Sequence, residues 1–97
     1  MKLYVIVRKD LTTSQQAVQA GHAVAAFLLH GHFFRRWENE TLIYLGVKGL
    51  TQLENLKRKF DYNDIPFIEF REPDLNNEST AIATNVENEL VERLNLL

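Results

Sequence analysis

The chain has 97 residues, of which 45% are hydrophobic and 25% are charged, and it contains no cysteine. This length predicts one domain covering residues 1–97. The absence of cysteine excludes disulfides, thiolate metal sites and thiol nucleophiles. No apolar run approaches the roughly 20 residues that cross a bilayer, so we expect no membrane span or signal peptide and a cytoplasmic protein.

Charge is distributed unevenly along the chain. Residues 1–60 contain nine Lys or Arg and four Asp or Glu. Residues 61–97 contain two Lys or Arg and nine Asp or Glu. A basic first half can bind a polyanion locally even though the net charge is −2. We therefore expect any contact with RNA to be local and salt-sensitive.

The first part of the chain predicts a buried strand followed by a long helix. Leu3–Val7 is an unbroken apolar run, as in a strand that is covered on both faces. Two overlapping capping boxes, Thr12 with Gln15 and Thr13 with Gln16, predict a helix that runs to about His30. Gly31 is its stop signal. The core stripe expected for this helix is Ala17, Gly21, Val24, Ala25 and Leu28.

The rest of the chain predicts three more strands and two more helices. A helical turn within 32–37 comes first, followed by a strand at 41–47 with a bulge at Gly46. The next helix begins at a Thr51–Glu54 capping box and has Leu53, Leu56 and Phe60 inward. The remaining elements are strands at 66–70 and 80–84 and a closing helix from Asn85 or Asn88 to Leu96. The fold class is α/β, a three-layer α/β/α sandwich with a four-stranded mixed sheet. The first three strands are expected to run parallel, and the polar segment 71–79 allows an antiparallel return.

Polar residues on the first helix and after the third strand are the candidates for chemistry. Gln15, Gln19 and His22 share one helical stripe, which is either a solvated face or one wall of a site. Either Asp74 or Glu72 in the polar loop could orient His22 so that its imidazole removes a proton from water. The alternative is that this loop is only a polar turn.

Other patterns are weaker. His30 and His32 lack a third metal ligand, and neither Ser14 nor Ser79 has the sharp-turn signature of a nucleophile, so we expect no metal and no serine triad. The four glycines form no phosphate-binding motif. The Arg35-Arg36-Trp37 cluster is either a solvated face or a site where a base stacks beside phosphates.

Several short motifs resemble the type II peptidyl-tRNA hydrolases. Arg8-Lys9-Asp10-Leu11 is similar to that family's R-x-D-L opening, and Gln19-Ala20-Gly21-His22-Ala23 to its Q-x-x-H-A segment. Trp37-Glu38, Leu56-Lys57, Ile65-Pro66 and Thr80-Ala81-Ile82-Ala83 follow in the family's order. The resemblance covers nearly the whole chain. It implies a four-stranded mixed sheet between helices, and cleavage of the ester that joins a peptide to the 3′ ribose of tRNA, without metal or organic cofactor.

The resemblance also assigns roles to residues. Gln19 and His22 take the family's glutamine and histidine positions, Asp74 its loop aspartate, and Thr80 the threonine that opens the last strand. Arg8 and Asp10 frame the loop before the helix. This loop is about two residues shorter than the family's and lacks its lysines; Gln15 stands near the lysine assigned to catalysis. An amide can donate a hydrogen bond but brings no charge.

The leading hypothesis is a peptidyl-tRNA hydrolase, or a hydrolase of a related ester. His22, held by Asp74, activates water, while Gln19 and Gln15 polarise the carbonyl or hold the peptide. The substrate-binding set is Arg8, Asp10, Glu72 and Thr80, and the cations expected at tRNA phosphates are Arg8, Lys9, Arg35 and Arg36. One alternative is a non-catalytic tRNA- or RNA-binding module on the same scaffold. Another is a homodimeric protein-interaction domain joined through Ala26, Leu29, Phe33 and Phe34.

Overall fold

The helices and strands follow the predicted order, with one strand added at the end. The computed structural model describes residues 1–97. Its elements are β1 (Lys2–Arg8), α1 (Thr13–His30), β2 (Thr41–Val47), α2 (Leu50–Tyr62), β3 (Ile68–Glu72), a 3₁₀ turn (Pro73–Leu75), β4 (Glu78–Thr84), α3 (Glu89–Glu92) and β5 (Asn95–Leu96). None of the helices combines the length and the apolar character that crossing a bilayer requires.

The sheet is mixed and has the strand order β3-β4-β1-β2-β5. β1 runs parallel to β2 and antiparallel to β4, and β4 runs antiparallel to β3. β1, β2 and β3 therefore point the same way, and the predicted α/β class is confirmed. The sheet has five strands rather than four, because the two-residue β5 pairs with Leu45 and Gly46 of β2. So short a strand leaves no periodicity in the sequence.

β1 is the centre of both hydrophobic cores. Leu3, Val5 and Val7 face the layer that contains α1, while Tyr4 and Ile6 face the layer that contains α2. α1 packs on β1, β3 and β4, and α2 packs on β1 and β4. Because α1 crosses β3 and β4, its side chains meet the polar loop that joins those two strands.

The expected core stripe of α1 is wrong. Ala17, Gly21, Ala25 and Leu28 are exposed and Val24 is half-buried; the buried face consists of Gln19, Ala20, Ala23 and Phe27. α1 carries small and apolar residues on both sides, so their spacing alone does not distinguish the inner face from the outer. Gln19 adds to the error, because hydrophobicity alone predicts that a glutamine lies on the exposed face, whereas Gln19 is buried.

Both ends of α1 are capped. The hydroxyl of Thr12 accepts the N–H of Gln15, and the side chain of Gln15 accepts the N–H of Thr12, so this capping box is confirmed. The overlapping box is absent, because the Gln16 amide donates instead to the carbonyls of Lys9 and Leu11. At the other end the N–H of Gly31 donates to the carbonyl of Phe27, as its stop signal predicts.

The expected start of α2 is wrong. The N-cap is Gly49, which offers no side-chain hydrogen bond, and Thr51 already lies inside the helix. The partner predicted for Thr51, Glu54, accepts a hydrogen bond from Lys57. The inward face of α2 is as predicted, since Leu53, Leu56 and Phe60 are buried.

The closing helix is much shorter than expected. Asn88 caps α3 by accepting the N–H groups of Leu90 and Val91, but α3 ends at Glu92 and the chain turns into β5. The helical turn expected within 32–37 is absent: residues 32–34 form a turn and residues 35–37 are irregular. The register of β2 against β1 shows no bulge at Gly46; a Cβ there would lie 2.6 Å from Cδ of Lys9, so the glycine makes room for the lysine stem.

A buried arginine ties the carboxyl end of β1 to the start of β4. The Arg8 side chain donates two hydrogen bonds to Asp10, at 3.0 and 2.8 Å, and one to Glu78 at 2.7 Å. It also donates to the carbonyl of Ser79, 3.2 Å away. The hydrogen bonds from Arg8 hold the pKa of Asp10 below its ordinary value.

A second ion pair joins α2 to β3. The ammonium of Lys57 lies against the carboxylate of Glu69, which also contacts Arg71. Burial, the largest single effect, raises the pKa of Glu69, but Lys57, Ser79 and Arg71 together outweigh it and the net direction is downward.

Because the pKa values of Asp10 and Glu69 are lowered in the folded protein, we expect acid to destabilise the fold. Because their pKa values are lowered by folding, their contribution is complete above the unfolded values of about 4 and is lost as the pH falls below them. We expect the urea midpoint of the wild type to fall between about pH 5 and about pH 2.5, and that of Asp10→Asn to fall less. Asp61→Asn, which removes an exposed and unpaired carboxylate, should behave like the wild type. Identical acid profiles for all three proteins would show that the Arg8 cluster contributes nothing.

Candidate active site

A polar cleft lies between the first turns of α1 and the loop that joins β3 to β4. Its volume is about 320 Å³. The lining residues are Ser14, Gln15, Val18, Gln19, Glu72, Asp74 and Leu75. Residues far apart in the sequence therefore share one site, and α1 and the loop each provide one of its walls.

A buried amide connects the two walls. Gln19 is 3% exposed; its Oε1 accepts a 2.7 Å hydrogen bond from the hydroxyl of Thr80, and its Nε2 donates a 2.9 Å hydrogen bond to Oε1 of Glu72. Thr80 is fully buried, and its hydroxyl has one proton to donate, which goes to Gln19 rather than to the carbonyl of Phe70 at 3.5 Å. The Thr80 hydroxyl therefore sets the orientation of the Gln19 amide, and the amide in turn sets the position of the Glu72 carboxylate.

Glu72 is the acid that the structure brings to Gln19. Its second oxygen accepts only a long 3.4 Å hydrogen bond from the N–H of Asp74, so lone pairs on this carboxylate remain for a water or a substrate. The carboxylate of Asp74 also lines the cleft, but it is exposed and has no hydrogen bond or ion pair. The expected pairing of His22 with Asp74 is not formed. Asp74 lies at the tip of the turn, whereas Glu72 is the last residue of β3 and faces α1.

His22 stands beside this cleft. Its ring stacks on Phe70 with centroids 4.3 Å apart and planes inclined by 6°. His22 and Gln19 are one turn apart on α1, and Phe70 and Glu72 lie on the same face of β3, so the two pairs are side by side. The imidazole makes no hydrogen bond or ion pair with either acid, and its nitrogens remain available.

The first turn of α1 has hydrogen-bond donors that lack partners in the chain, and two of its residues, Ser14 and Gln15, line the cleft. Oε1 of Gln15 is occupied by the N–H of Thr12, which leaves the two protons on its Nε2 without a partner. The N–H groups of Thr13 and Ser14 are also unpaired within the chain, and no acidic residue lies in this turn. Such a turn carries a partial positive charge and can bind an anion.

The cations expected at RNA are divided between two ends of the molecule. The guanidinium of Arg8 is committed to Asp10 and Glu78 and is not free for a phosphate. Lys9 lines an opening at the carboxyl ends of β1 and β2, together with Lys48. Arg35 and Arg36 lie past the last turn of α1, and the length of this helix, about 27 Å, separates them from its first turn. Sequence analysis did not identify Lys48 as a candidate. The sequence does contain a signal for it: Lys48 directly follows β2 as Lys9 directly follows β1, and because these strands are parallel, both lysines lie at the same edge of the sheet.

No group of three or more His, Asp or Glu side chains converges on a possible metal position.

Removing the Thr80 hydroxyl should loosen the cleft. Thr80→Val leaves the oxygen of Gln19 buried without a donor, which costs about 1–3 kcal/mol of unfolding free energy. Thr80→Ser keeps the hydroxyl and should retain most of the stability. Urea unfolding of the two variants measures the difference, and equal losses would show that the hydroxyl does not hold the amide.

The chain was compared with known proteins. The family model described as Peptidyl-tRNA hydrolase PTH2 matches residues 1–94. Among solved structures, the chain is similar to a protein of unknown function from Agrobacterium tumefaciens strain C58, with a TM-score of 0.71 and 13% identity over 99% of this chain and 96% of that one. No curated protein sequence matches. The structural similarity shows the fold, and the match to residues 1–94 shows that the chain belongs to the peptidyl-tRNA hydrolase PTH2 family.

Proposed function

We propose that this protein hydrolyses the ester bond of peptidyl-tRNA and releases the peptide and the tRNA. Family membership supports this reaction class. The observation that carries the proposal is the buried Gln19 amide, which holds the Glu72 carboxylate in the cleft next to His22. The reaction would take place in the cytoplasm, where charged tRNA is used.

His22 and Glu72 activate the water in this proposal. Glu72 accepts a hydrogen bond from the water and orients it, and an unpaired nitrogen of His22 takes its proton as the water oxygen attacks the ester carbonyl. Imidazole suits this step because it exchanges protons near neutral pH. Glu72 therefore takes the role that the leading hypothesis of the sequence analysis assigned to Asp74. Thr80 is a positioning residue, since it is fully buried and acts through Gln19.

The first turn of α1 stabilises the oxyanion. When the water oxygen bonds to the carbonyl carbon, negative charge develops on the carbonyl oxygen, and Nε2 of Gln15 with the N–H groups of Thr13 and Ser14 can donate to it. The carbon–oxygen bond to the ribose then breaks, and the leaving oxygen takes the proton from His22. The helix terminus thereby supplies part of the positive potential that a lysine would bring.

Phosphates of the tRNA would contact Lys9 and Lys48, which have no acidic partner and lie at the carboxyl ends of β1 and β2, the edge of the sheet at which β3 also ends. Arg35 and Arg36, at the far end of α1, would be reached only by a more distant part of the RNA. This arrangement agrees with a local basic surface on a chain of net charge −2.

Substitutions at the two proposed groups should remove turnover. His22→Ala and Glu72→Gln are each expected to lower kcat for an N-acetylaminoacyl-tRNA by about 10²-fold or more, because each removes a group that acts on the water. Asp74→Asn, on the same loop, is the matched control and should lie within a few-fold of the wild type.

Circular dichroism and tRNA binding separate chemistry from folding in these variants. Both measurements should be unchanged for His22→Ala and Glu72→Gln. If Asp74→Asn loses as much activity as Glu72→Gln, the assignment of Glu72 is wrong. If His22→Ala keeps full activity, the imidazole has no part in the reaction.

The second candidate function is a non-catalytic tRNA-binding module. It is favoured by one observation: a neutral amide, Gln15, takes part in the helix cap near the position of the family's lysine. Gln15→Lys tests it, since a cation at this turn should lower the barrier to oxyanion formation. If the wild type already hydrolyses the ester, we expect a moderate increase in rate and the module hypothesis fails. If the wild type is inert and only Gln15→Lys is active, the module hypothesis is correct and the hydrolase proposal is wrong.

A further inference from the structure

The cations without an acidic partner are concentrated on one side of the molecule. The chain has 11 Lys and Arg residues, of which six form ion pairs. The other five are Lys9, Arg35, Lys48, Arg58 and Lys59. All of these except Arg35 belong to α2 or directly follow β1 and β2. Unpaired surface cations attract anions, so this side carries a local positive potential although the net charge is −2.

Three of these lysines line two adjoining openings. The first, of about 390 Å³, lies at the carboxyl ends of β1 and β2, and its lining residues are Lys9, Gly46, Lys48 and Asn95. The second, which we call the α2 groove, has a volume of about 280 Å³ and lies between β2 and α2. Its lining residues are Val47, Lys48, Gln52, Asn55, Leu56, Lys59 and Leu94. Lys48 lines both openings, so they are continuous, and neither has an acidic lining residue.

The α2 groove has an apolar floor and a polar wall. The floor is aliphatic and consists of the buried Val47 and Leu56 and the half-buried Leu94. The wall consists of Gln52, Asn55 and Lys59, which are exposed and lie three and four residues apart on α2. This spacing makes the three side chains project from the same side of the helix. The groove therefore offers apolar surface, amide groups and positive charge to one ligand.

These groups match the parts of an unpaired nucleotide. A base has an apolar face that can lie on an aliphatic floor, and its edge carries hydrogen-bond donors and acceptors. Amide side chains pair with such an edge because they both donate and accept. Oδ1 of Asn55 accepts a hydrogen bond from Arg58, which leaves both protons of its Nδ2 for a ligand. The ammonium groups of Lys48 and Lys59 suit the phosphates on either side of the base.

The α2 groove begins at the edge of the sheet where the cleft lies. β1, β2 and β3 run in the same direction, so their carboxyl ends lie at one edge. In the order β3-β4-β1-β2, three inter-strand spacings separate the end of β3 from the end of β2, a distance of about 14 Å. A few nucleotides of RNA span this distance. A strand whose terminal ribose lies in the cleft would therefore pass Lys9 and Lys48 before it reaches α2.

We propose that the unpaired 3′ segment of tRNA crosses this edge over Lys9 and Lys48 and that one of its nucleotides lies in the α2 groove. The base lies on the aliphatic floor with its edge toward Gln52 and Asn55, and Lys48 and Lys59 bind the adjacent phosphates. The nucleotide must be unpaired, because a base inside a duplex cannot lie flat on the floor. The inference rests on the proposed tRNA substrate and adds a subsite for nucleotides that precede the acylated one.

Binding of two uncharged RNAs tests the α2 groove. One is intact tRNA and the other is the same tRNA without its unpaired 3′ nucleotides; the measured quantity is the ratio of their dissociation constants. For the wild type we expect the trimmed tRNA to bind at least about 5-fold more weakly, because it lacks the stacked base and its phosphates. The ratio cancels contacts that the two RNAs share, such as those of the double-stranded stem.

Lys59→Gln removes one charge from the groove at nearly constant side-chain length. We expect it to lower the ratio about 2- to 5-fold, the value of one exposed ion pair. It should also reduce the slope of log K against log salt for intact tRNA by about 0.7. Arg35→Gln is the matched control, since Arg35 is also unpaired but lies at the far end of α1. Its ratio should equal that of the wild type.

Gln52→Ala removes an amide from the wall without changing the charge. We expect it to lower the ratio and to leave the salt slope unchanged, because base contacts release no counterions. Gln52 is exposed and alanine has the higher helix propensity, so α2 should keep its stability. Circular dichroism checks that all three variants are folded.

Equal affinities of the wild type for intact and trimmed tRNA overturn the proposal. It is also overturned if Lys59→Gln has the same ratio as Arg35→Gln, or if Gln52→Ala has the ratio of the wild type, because the nucleotide would then lie elsewhere. These measurements need no turnover and are therefore independent of the proposed hydrolysis. An inert protein that shows the expected ratios would refute the hydrolysis alone, whereas an active one with equal affinities would refute the groove alone.

Discussion

The buried amide of Gln19 is the interaction on which the arrangement of the cleft depends. It is the point where α1, β3 and β4 meet, and its two ends are bonded to side chains from different strands. A buried amide without both partners would destabilise the fold, so stability and site geometry impose the same requirement. The Thr80 hydroxyl orients the Gln19 side chain, and the Gln19 side chain in turn orients Glu72.

Electrostatics at the cleft differ from those of a lysine-dependent site. The cleft combines a carboxylate, an adjacent imidazole and the unpaired N–H groups of the first turn of α1, and the nearby cation Arg8 is neutralised by two acids. Positive potential therefore comes from the end of a helix, which is smaller than a full charge but is fixed in direction. Fixed dipoles stabilise a developing oxyanion without first having to reorganise, and this is the physical basis on which the proposed reaction can proceed without a lysine.

Much of the fold could be predicted because the apolar runs have clear periods. Leu3–Val7 predicts a strand buried on both faces, and the two overlapping capping boxes place the start of α1 to within one residue, although only the Thr12–Gln15 box forms. The buried faces of the helices, the helix ends without side-chain caps and the shortest strand were predicted less accurately. α1 has apolar residues on both sides, α2 starts without a side-chain cap, and β5 has only two residues.

The candidate site was predicted in its parts but not in its contacts. Sequence analysis places Gln19, His22 and Thr80 among the candidate site residues, and Glu72 beside Asp74, but it has no signal for which acid contacts the helix. That choice is made in three dimensions: Glu72 is still on β3 and faces α1, whereas Asp74 has entered the turn. Likewise, the burial of Arg8 depends on Glu78, a residue 70 positions away.

Substitution of Gln19 tests the central claim most directly, because this amide links stability to the position of Glu72. The measurement is kcat/KM of Gln19→Leu and of the wild type for an N-acetylaminoacyl-tRNA, with tRNA binding measured in parallel. The account predicts that the wild type hydrolyses the ester and that Gln19→Leu is slower by about 10²-fold while still binding tRNA. A wild type without activity, or a Gln19→Leu variant that is as fast as the wild type, would contradict it.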